Sequence, residues 1–318
     1  MHLELPPADA VFFHVDLDGL WVHANDMSDH DFRDHEDYVF ESGFEMMLEI
    51  FKQEKIKSTL FIVGREMEKR KHLELLKQAQ SEGHYFANHT YNHPKNLALL
   101  DESEKEQEIM KCHDAITANL NVNPVGFRAP AYFLDKKSIA FLKSSGYIYD
   151  TSVFPSPYGP LIARLLSIRS KGKRSADQHA FLQPFSIELA RRKNKPYYPS
   201  SENPYRKGLQ KDFIEFPVTC IPFFKFPFHA SYVLNSSQLL FRAAKALLYL
   251  SKIPVVYLFH LKDFSCDMKK EDLALCSSNP LGYKTQSERV FIIKSILRQL
   301  KKIRNPMVIE EYLNFHKI

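Results

Sequence analysis

Six side chains of this sequence have the types and spacing to do chemistry. Asp16 and Asp18 lie in HVDLDGL, residues 14–20, just past the apolar run Val11–Phe13. In an extended strand, side chains i and i+2 share a face, so both carboxylates would project together from the strand end. Such a pair can bind a cation, or one member can bind while the other acts as a base; a plain turn with two solvated acids reads as well. His89 and His93, in ANHTYNHP (87–94), are four apart. On a helical turn that spacing puts both imidazoles on one face, a recurrent metal-ligand pair, and the ordinary alternative is two exposed histidines ahead of Pro94. Arg128, in GFRAPAYF (126–133), ends a short apolar run before a proline-restricted turn, where a purely structural arginine is the default. His260 closes the most apolar strand of the chain, in VVYLFHLKDF (255–264), as either a satisfied core residue or a buried acid.

The elements that must position these groups are legible. Val11–Val15, Thr59–Val63, His84–Asn88, Gly126–Arg128, Tyr147–Asp150 and Val255–Phe259 read as strands. Between them, Phe44, Met47, Leu48 and Phe51 follow i, i+3, i+4, i+7 spacing. Leu73, Leu76 and Ala79 mark another helix, with Gly83 as its stop. Ser103 and Glu106 form a capping-box pattern ahead of Ile109, His113, Ile116 and Leu120. Ile139 and Leu142 lie on a helix stopped by Gly146, and Gln238–Leu250 is a further helix. Thr285 and Glu288 cap a last one bearing Val290, Ile293, Ile296, Leu297 and Leu300. Such strand–helix alternation argues for an α/β fold with a mostly parallel sheet, whose ligands sit at the C-terminal ends of the strands. The polar residues recur at those ends.

The stretch 155–235 breaks the rhythm. It is rich in proline, from Pro155 to Pro227, and contains the apolar IPFFKFPF, 221–228. It reads as an insertion serving as a lid or substrate-binding segment, partly helical near Leu161–Ile168 and Ala180–Arg192.

At 318 residues, 44% hydrophobic and 25% charged, the chain is long enough to bury a sizeable core. Its composition excludes a disordered, collagen-like or disulfide-dense protein. The longest apolar stretch, Pro254–Leu261, is far shorter than the ~20 residues that span a bilayer. The N-terminal MHLELPPADA lacks the basic start and apolar run of a secretory signal. The four cysteines, Cys112, Cys220, Cys266 and Cys276, include no CxxC, and no disulfide is expected. A cytoplasmic protein is the expectation.

The net charge of +5 hides an asymmetry. Residues 1–54 carry 14 acidic and 2 basic side chains, whereas 164–195 carry 9 basic against 2 acidic. The basic segment suits an anionic ligand or membrane surface, or is simply a solvated loop. No nucleic-acid motif accompanies it, so nucleic acid is not an expected partner. The acidic stretch Asp26–Asp37 is read as a solvated loop rather than a second cation site.

Taken in order, these motifs resemble the polysaccharide deacetylase family, whose shared unit is the NodB-homology domain. The resemblance is carried by Asp16/Asp18, His89-Thr90-Tyr91-Asn92-His93, Arg128-Ala129-Pro130, Tyr149-Asp150-Thr151-Ser152 and Leu258-Phe259-His260. Ser58–Gly64 looks like the family's second strand. It covers about residues 10–152 and 253–265. The sequence departs from the pattern in three places. Leu17 separates the two aspartates, as in some branches, including one resembling lipid-linked formamido-arabinose deformylases. Ala131 stands where an aromatic often follows Arg-x-Pro, with Tyr132 one place later. The gap between Asp150 and His260 is long.

The resemblance implies a single domain over 1–318, folded as a distorted (β/α) barrel of about seven strands with a long insertion before the last catalytic strand. It implies one divalent metal ion, Zn2+ by expectation, held by Asp18, His89 and His93, a set that leaves positions open for water and substrate. Asp16 would be the general base, Arg128 its partner, and His260 the acid for the departing amine. An N–H near Ala131 or Tyr132 would help to hold the oxyanion, and Asp150 would orient His260 or line the pocket. The implied activity is removal of an N-acyl group, chiefly N-acetyl, from an amino sugar in a cell-surface glycan or a lipid-linked precursor. Rival readings are a deformylase, an O-deacetylase, or an inactive glycan-binding member. A precursor substrate at the inner membrane face would suit peripheral contact through 164–195.

Overall fold

The computed structural model describes residues 2–24, 37–158, 194–234, 237–265 and 285–315. The strands are β1 (Ala10–Leu17), β2 (Thr59–Ile62), β3 (Tyr85–Asn88), β4 (Gly126–Phe127), β5 (Tyr149–Asp150), β6 (Ile214–Glu215), β7 (Val255–His260) and β8 (Asn305–Met307). They pair in the order β6-β5-β4-β3-β2-β1-β7, every pair parallel. The short β8 pairs with the first residues of β1, beside which β2 takes over from His14 onward. The gap between β6 and β7 is bridged by Thr219. Its N–H donates to the Val256 carbonyl at 3.2 Å and its hydroxyl accepts from the Val256 N–H at 2.8 Å. The chain thus forms a distorted (β/α) barrel. The end of the long stretch between β5 and β7, from Ile214 to Thr219, is barrel wall rather than lid.

The outer helices are α1 (Leu20–Ala24), α2 (Tyr38–Glu54), α3 (Arg70–Ser81), α4 (Glu102–Leu120), α5 (Lys136–Ser144), α6 (Ala230–Val233), α7 (Gln238–Ser251), α8 (Leu261–Phe264), α9 (Gln286–Lys301) and α10 (Ile309–Phe315). Their apolar stripes are those of the sequence: Phe44, Met47, Leu48 and Phe51 of α2 are buried, as are Ile293, Ile296, Leu297 and Leu300 of α9. Gly83 and Gly146 end α3 and α5 at φ +85 and +87, left-handed values that glycine adopts without steric cost. The Thr285–Glu288 capping box is present. The box on α4 belongs instead to Asp101 and Glu104. Asp101 Oδ1 accepts from Glu104 N–H at 2.8 Å, so α4 starts before Ser103 can cap it; aspartate caps as well as serine does.

Alternation along β1 sorts the molecule. Val11, Phe13, Val15 and Leu17 face outward into the core under the helices. Ala10 and Phe12 face the lumen with Phe61, Ala87, Tyr149 and Val256. The base of the lumen is closed by α10, where Glu310 accepts from Thr59 Oγ1 at 2.7 Å and from Tyr149 Oη at 2.5 Å. Continuing up the inner face, the next residues are His14, Asp16 and Asp18. One strand face therefore runs from apolar to charged along the barrel axis, and the charge arrives at the C-terminal mouth.

Cys112 and Cys220 are buried and unbridged; Cys266 and Cys276 lie outside the described residues, as do the predicted helical pieces of 161–192, most of the basic segment 164–195 and residues 26–36 of the acidic stretch. Among the described residues, no helix is long and apolar enough to cross a membrane.

Candidate metal centre and active site

The mouth is assembled from four strand ends. Asp16 ends the inner face of β1 and is a ladder partner of His260 in β7, which sets Asp16 Oδ2 3.7 Å from His260 Nε2. Asp18 follows two residues on. His89 and His93 come from the loop after β3, and Arg128 follows β4. Asp16, Asp18, His89, His93 and Arg128 are all buried.

The histidine pair meets by a different route from the one its spacing suggests. Residues 89–93 are not helical; Thr90 and His93 take left-handed backbones, φ +66 and +53. For a β-branched residue that conformation is an outlier, held only where its surroundings over-determine it. They do so here. Asn88 Oδ1 accepts from Thr90 N–H at 2.8 Å, and Asn88 Nδ2 donates to Ile109 O and Tyr147 Oη at 2.8 and 2.6 Å. The Thr90 and Tyr91 carbonyls accept from Gly64 and Arg65 at 2.9 and 3.0 Å.

Asp18 Oδ1 lies 3.6 Å from both His89 Nε2 and His93 Nε2, with all three ligand atoms within 4.8 Å of one another. Tetrahedral bonds of ~2.0–2.2 Å separate donors by roughly 3.3–3.6 Å, so the set fits a divalent cation. Two further observations agree. Asp18 Oδ1 is buried with no hydrogen-bond partner among the described residues, an arrangement that leaves a carboxylate oxygen asking for a cation. His89 Nδ1 lies 2.7 Å from the Arg128 carbonyl, which can only accept, so the proton is on Nδ1 and the Nε2 lone pair points at Asp18. Burial holds both imidazoles neutral, His89 below its ordinary value and His93 well below it, the latter helped by His89 and Lys95. Burial, then the charge of Asp16, pushes Asp18 up to about 8.

Arg128 is spent entirely inside. It pairs with Asp16 Oδ1, donates from Nε to Thr151 O at 3.2 Å and from Nη2 to Thr151 Oγ1 at 3.0 Å and His14 Nδ1 at 2.8 Å. Its guanidinium lies 4.1 Å over the Phe61 ring, a cation–π contact. The turn after it carries two consecutive left-handed residues, Ala131 at φ +54 and Tyr132 at φ +59. The Tyr132 N–H already donates to Ala129 O at 3.2 Å.

Asp150 does not reach His260. Its Oδ1 accepts from Ser152 Oγ at 2.6 Å, which in turn accepts from Ala129 N–H at 2.7 Å, and it shares a hydrogen bond with Glu215. Burial raises both acids, Glu215 well above its usual range. The carboxylates beside His260 are Asp16 at Nε2 and Asp263, whose Oδ2 accepts from the His260 N–H at 2.9 Å and lies 4.0 Å from His260 Nδ1. Asp150 thus braces the Arg-x-Pro turn, because β5 and β6 carry it away from β7.

Several mouth residues carry no signal in the sequence. Tyr132, Phe154, His229 and Tyr232 make a chain of ring contacts at 5.4, 5.8 and 4.7 Å, and His229 within it lies 6.1 Å from His260. His23 of α1 lies 4.0 Å from Asp18 Oδ2. Apart from Tyr132, which sits in the GFRAPAYF motif, none belongs to a short motif; His229 and Tyr232 come from the stretch without periodicity and Phe154 from just before it.

Residues 34–149 match the polysaccharide deacetylase family. The match contains His89, His93, Arg128 and Tyr132 and leaves out Asp16, Asp18, Asp150 and His260, which the fold brings to the same mouth. Among curated proteins, the chain is 34% identical over 84 residues to a Bacillus cereus peptidoglycan-N-acetylglucosamine deacetylase, 26% of this chain and 30% of that one. It is 36% identical over 97 residues to the peptidoglycan deacetylase-like protein FGM2 of Gibberella zeae, 30% of this chain and 28% of that one. The alignments thus span under a third of those relatives' length. The fold is similar to a Mycobacterium smegmatis protein assigned to the polysaccharide deacetylases (TM-score 0.59, 17% identity, 99% of this chain and 96% of that one). It is also similar to the Puue allantoinase (TM-score 0.57, 13% identity, 99% and 92%). The resemblance to the polysaccharide deacetylase family is thus confined to residues 34–149, while the shared fold extends over nearly the whole chain.

Proposed function

We propose that the protein is a metal-dependent hydrolase that removes an N-acyl group, N-acetyl in the first instance, from an amino sugar of a cell-surface glycan or its lipid-linked precursor. The observation that carries this reading is the convergence of Asp18, His89 and His93 on one point with Asp16 and His260 beside it. The fold alone does not, since an allantoinase shares it.

Asp18, His89 and His93 would hold the cation, zinc by its mixed nitrogen and oxygen donors, and the ion when bound supplies Lewis-acid polarisation of the acyl carbonyl and a more acidic water. Asp16 Oδ2 takes the proton of the attacking water, its other oxygen being fixed by Arg128. His260 is held well below its ordinary pKa by burial, then by Lys262, so it starts neutral. Asp16 Oδ2, 3.7 Å from His260 Nε2, passes the proton across, and the imidazolium delivers it to the amine as the C–N bond breaks. The Ala131 N–H is the candidate oxyanion donor of its turn, since that of Tyr132 is engaged with Ala129 O. Tyr132, Phe154, His229 and Tyr232 offer a wall for the sugar. Asp150 acts through Ser152 on that turn.

The whole chain is taken as one catalytic unit, with residues 155–235 giving the substrate-facing segment. Contact with an anionic bilayer is supported by the basic 164–195 and by the exposed Phe223, Phe224 and Phe226; flotation with anionic liposomes tests it, and no salt-sensitive binding would end it.

Metal analysis of the purified protein, followed by acetate and formate release from N-acylated amino sugars, tests the reading. Stoichiometric zinc and acetate release, both lost in Asp18→Asn and His89→Ala and release alone lost in Asp16→Asn, is expected. Bound metal with no acyl release from any glycan or lipid-linked sugar overturns it.

A further inference from the structure

Helix α7 is apolar on two opposite sides. It buries Phe241, Ala244 and Leu248 in the core, at i, i+3 and i+7. With about 100° between successive residues, Leu239, Ala243, Ala246 and Leu250 make the opposite stripe, and all four are exposed. Leu239 and Leu250 are 76% and 72% exposed, and Leu240 and Tyr249 beside them are exposed as well. A surface helix ordinarily turns charged and polar residues outward. From Gln238 to Ser251 there is no acidic residue, and the two cations, Arg242 and Lys245, fall between the two stripes on one flank.

That flank opens onto α9. A groove of about 500 Å3 runs between the two helices, walled by Arg242 and Lys245 on one side and by Phe291, Lys294, Arg298 and Lys302 on the other. Among the described residues no acid lines it. Glu54 of α2 pairs with Arg298 Nη2 at 2.7 Å. Lys245 donates to Gln299 Oε1 at 2.8 Å and Lys294 to Gln53 Oε1, neutral amides that leave both charges in place. Arg242 and Lys302 make no ion pair among the described residues. One carboxylate thus answers five cations, beside a helix face of exposed leucines. An occupant that is both anionic and oily matches this face. A second copy of the chain meeting it about a two-fold axis would set these cations against themselves. An anionic bilayer offers phosphates to the groove and hydrocarbon to the leucines, while the stems of the long cationic side chains lie along apolar surface.

We propose that the α7–α9 face docks on an anionic phospholipid bilayer, with headgroup phosphates in the basic groove and the stripe from Leu239 to Leu250 among the upper acyl chains. This names a folded surface for the bilayer contact proposed above and rests on that contact, but not on the deacylase reading. It is distinct from 164–195 and from Phe223, Phe224 and Phe226. The segment bearing those aromatics adjoins it, since Phe228 stacks on Phe241 in the first turn of α7 at 5.8 Å.

The test floats the full chain with vesicles of phosphatidylcholine alone and of phosphatidylcholine with phosphatidylglycerol. Binding to the anionic vesicles, weakened by salt, is expected. Arg242→Glu combined with Lys302→Glu should lower the affinity about tenfold at low salt and less at high salt. Leu239→Gln combined with Leu250→Gln should lower it about tenfold at both. All four positions are exposed, so thermal melts of the variants should match the parent, as should acetate release from a soluble N-acylated sugar. Binding unchanged in both double variants but lost in Phe223→Ser combined with Phe224→Ser would overturn this face and leave the other bilayer contact standing. Equal binding to neutral vesicles would overturn the headgroup groove. A parent that fails to float, and whose dimer in light scattering becomes a monomer in the leucine variant, would give the stripe to a second copy of the chain instead. Lipid binding that follows the variants as expected, with no acyl release from any sugar, would fault the deacylase reading alone.

Discussion

Arg128 Nη2 lies 2.8 Å from His14 Nδ1, one layer beneath Asp16 in the barrel. A guanidinium only donates, so His14 accepts at Nδ1 and keeps its proton on Nε2. Burial, then the Arg128 charge, holds His14 well below its ordinary pKa. A neutral imidazole thus fixes the arginine that fixes Asp16. His14→Phe removes the acceptor and leaves a buried N–H of Arg128 short of a partner. A loss of about 1–3 kcal/mol is expected in urea unfolding, with a fall in kcat; His14→Gln, which can still accept, should recover part of both. A His14→Phe protein as stable and as active as the parent would remove His14 from this chain of support.

Gly19 joins Asp18 to α1 and touches a buried acid pair. A Cβ there would collide with Glu66 Oε1 and Asp37 Oδ2. Neither oxygen can retreat: Trp21 Nε1 holds the first at 2.6 Å and Leu20 N–H the second at 2.6 Å. Burial and Glu66 push Asp37 up to about 7, a sign of how closely the two acids are confined. Gly19→Ala should cost about 1–3 kcal/mol and weaken metal affinity about tenfold by displacing Asp18. Gly146→Ala is the control. It also strains a left-handed residue, at φ +87 with open space around it, and should cost about 1 kcal/mol while leaving the metal titration unmoved.

The parts of this site that could be read in the sequence are those fixed by strand geometry. Asp16 and Asp18 share a face because β1 is extended, and His260 meets Asp16 because β7 pairs with β1. The apolar runs that define these strands are local, so their ends are too. What spacing alone misjudged was the backbone between His89 and His93. A helical turn and a pair of left-handed kinks can bring the same two rings together, and only the surrounding hydrogen bonds decide which forms. Asp150 was misplaced relative to His260 because its neighbour depends on strand order, which no local pattern encodes. Phe154, His229 and Tyr232 were invisible for the same reason. They reach the mouth through the packing of the long stretch before β7, with no repeat or motif to mark them.

His84 gives a test of stability against pH away from the site. It hydrogen-bonds to Ser58 Oγ at 2.9 Å, packs against Phe51, and is held by burial at about 4. In the unfolded chain its pKa is near 6.5. The unfolded state therefore binds a proton that the folded state refuses between these values. The stability this neutral imidazole represents is complete above pH 6.5 and drains as the pH falls toward 4, by about 2 kcal/mol at pH 5. Urea unfolding at pH 7.5 and 5.0 measures it. In His84→Gln the difference between the two pH values should shrink by that amount, and an unchanged difference would show that His84 is not the group responsible.

The centre itself should make folding depend on the metal. Asp18, His89 and His93 are buried, and without a cation the Asp18 carboxylate is pushed up to about 8 by burial and Asp16; the folded chain then keeps at a cost a group that water would ionise freely. A cation bound only by the folded state removes that cost, and mass action adds about 2.7 kcal/mol when the free metal stands at a hundred times its Kd. Thermal melts in chelator and in excess zinc should therefore differ by several degrees for a chain of this size. The shift should vanish in His89→Ala and His93→Ala. It should vanish too in Asp18→Asn, whose neutral amide makes a poor ligand but also removes the buried carboxyl, so this variant should melt at or above the chelated parent. A zinc-induced shift of full size in His89→Ala would place the ion elsewhere in the molecule.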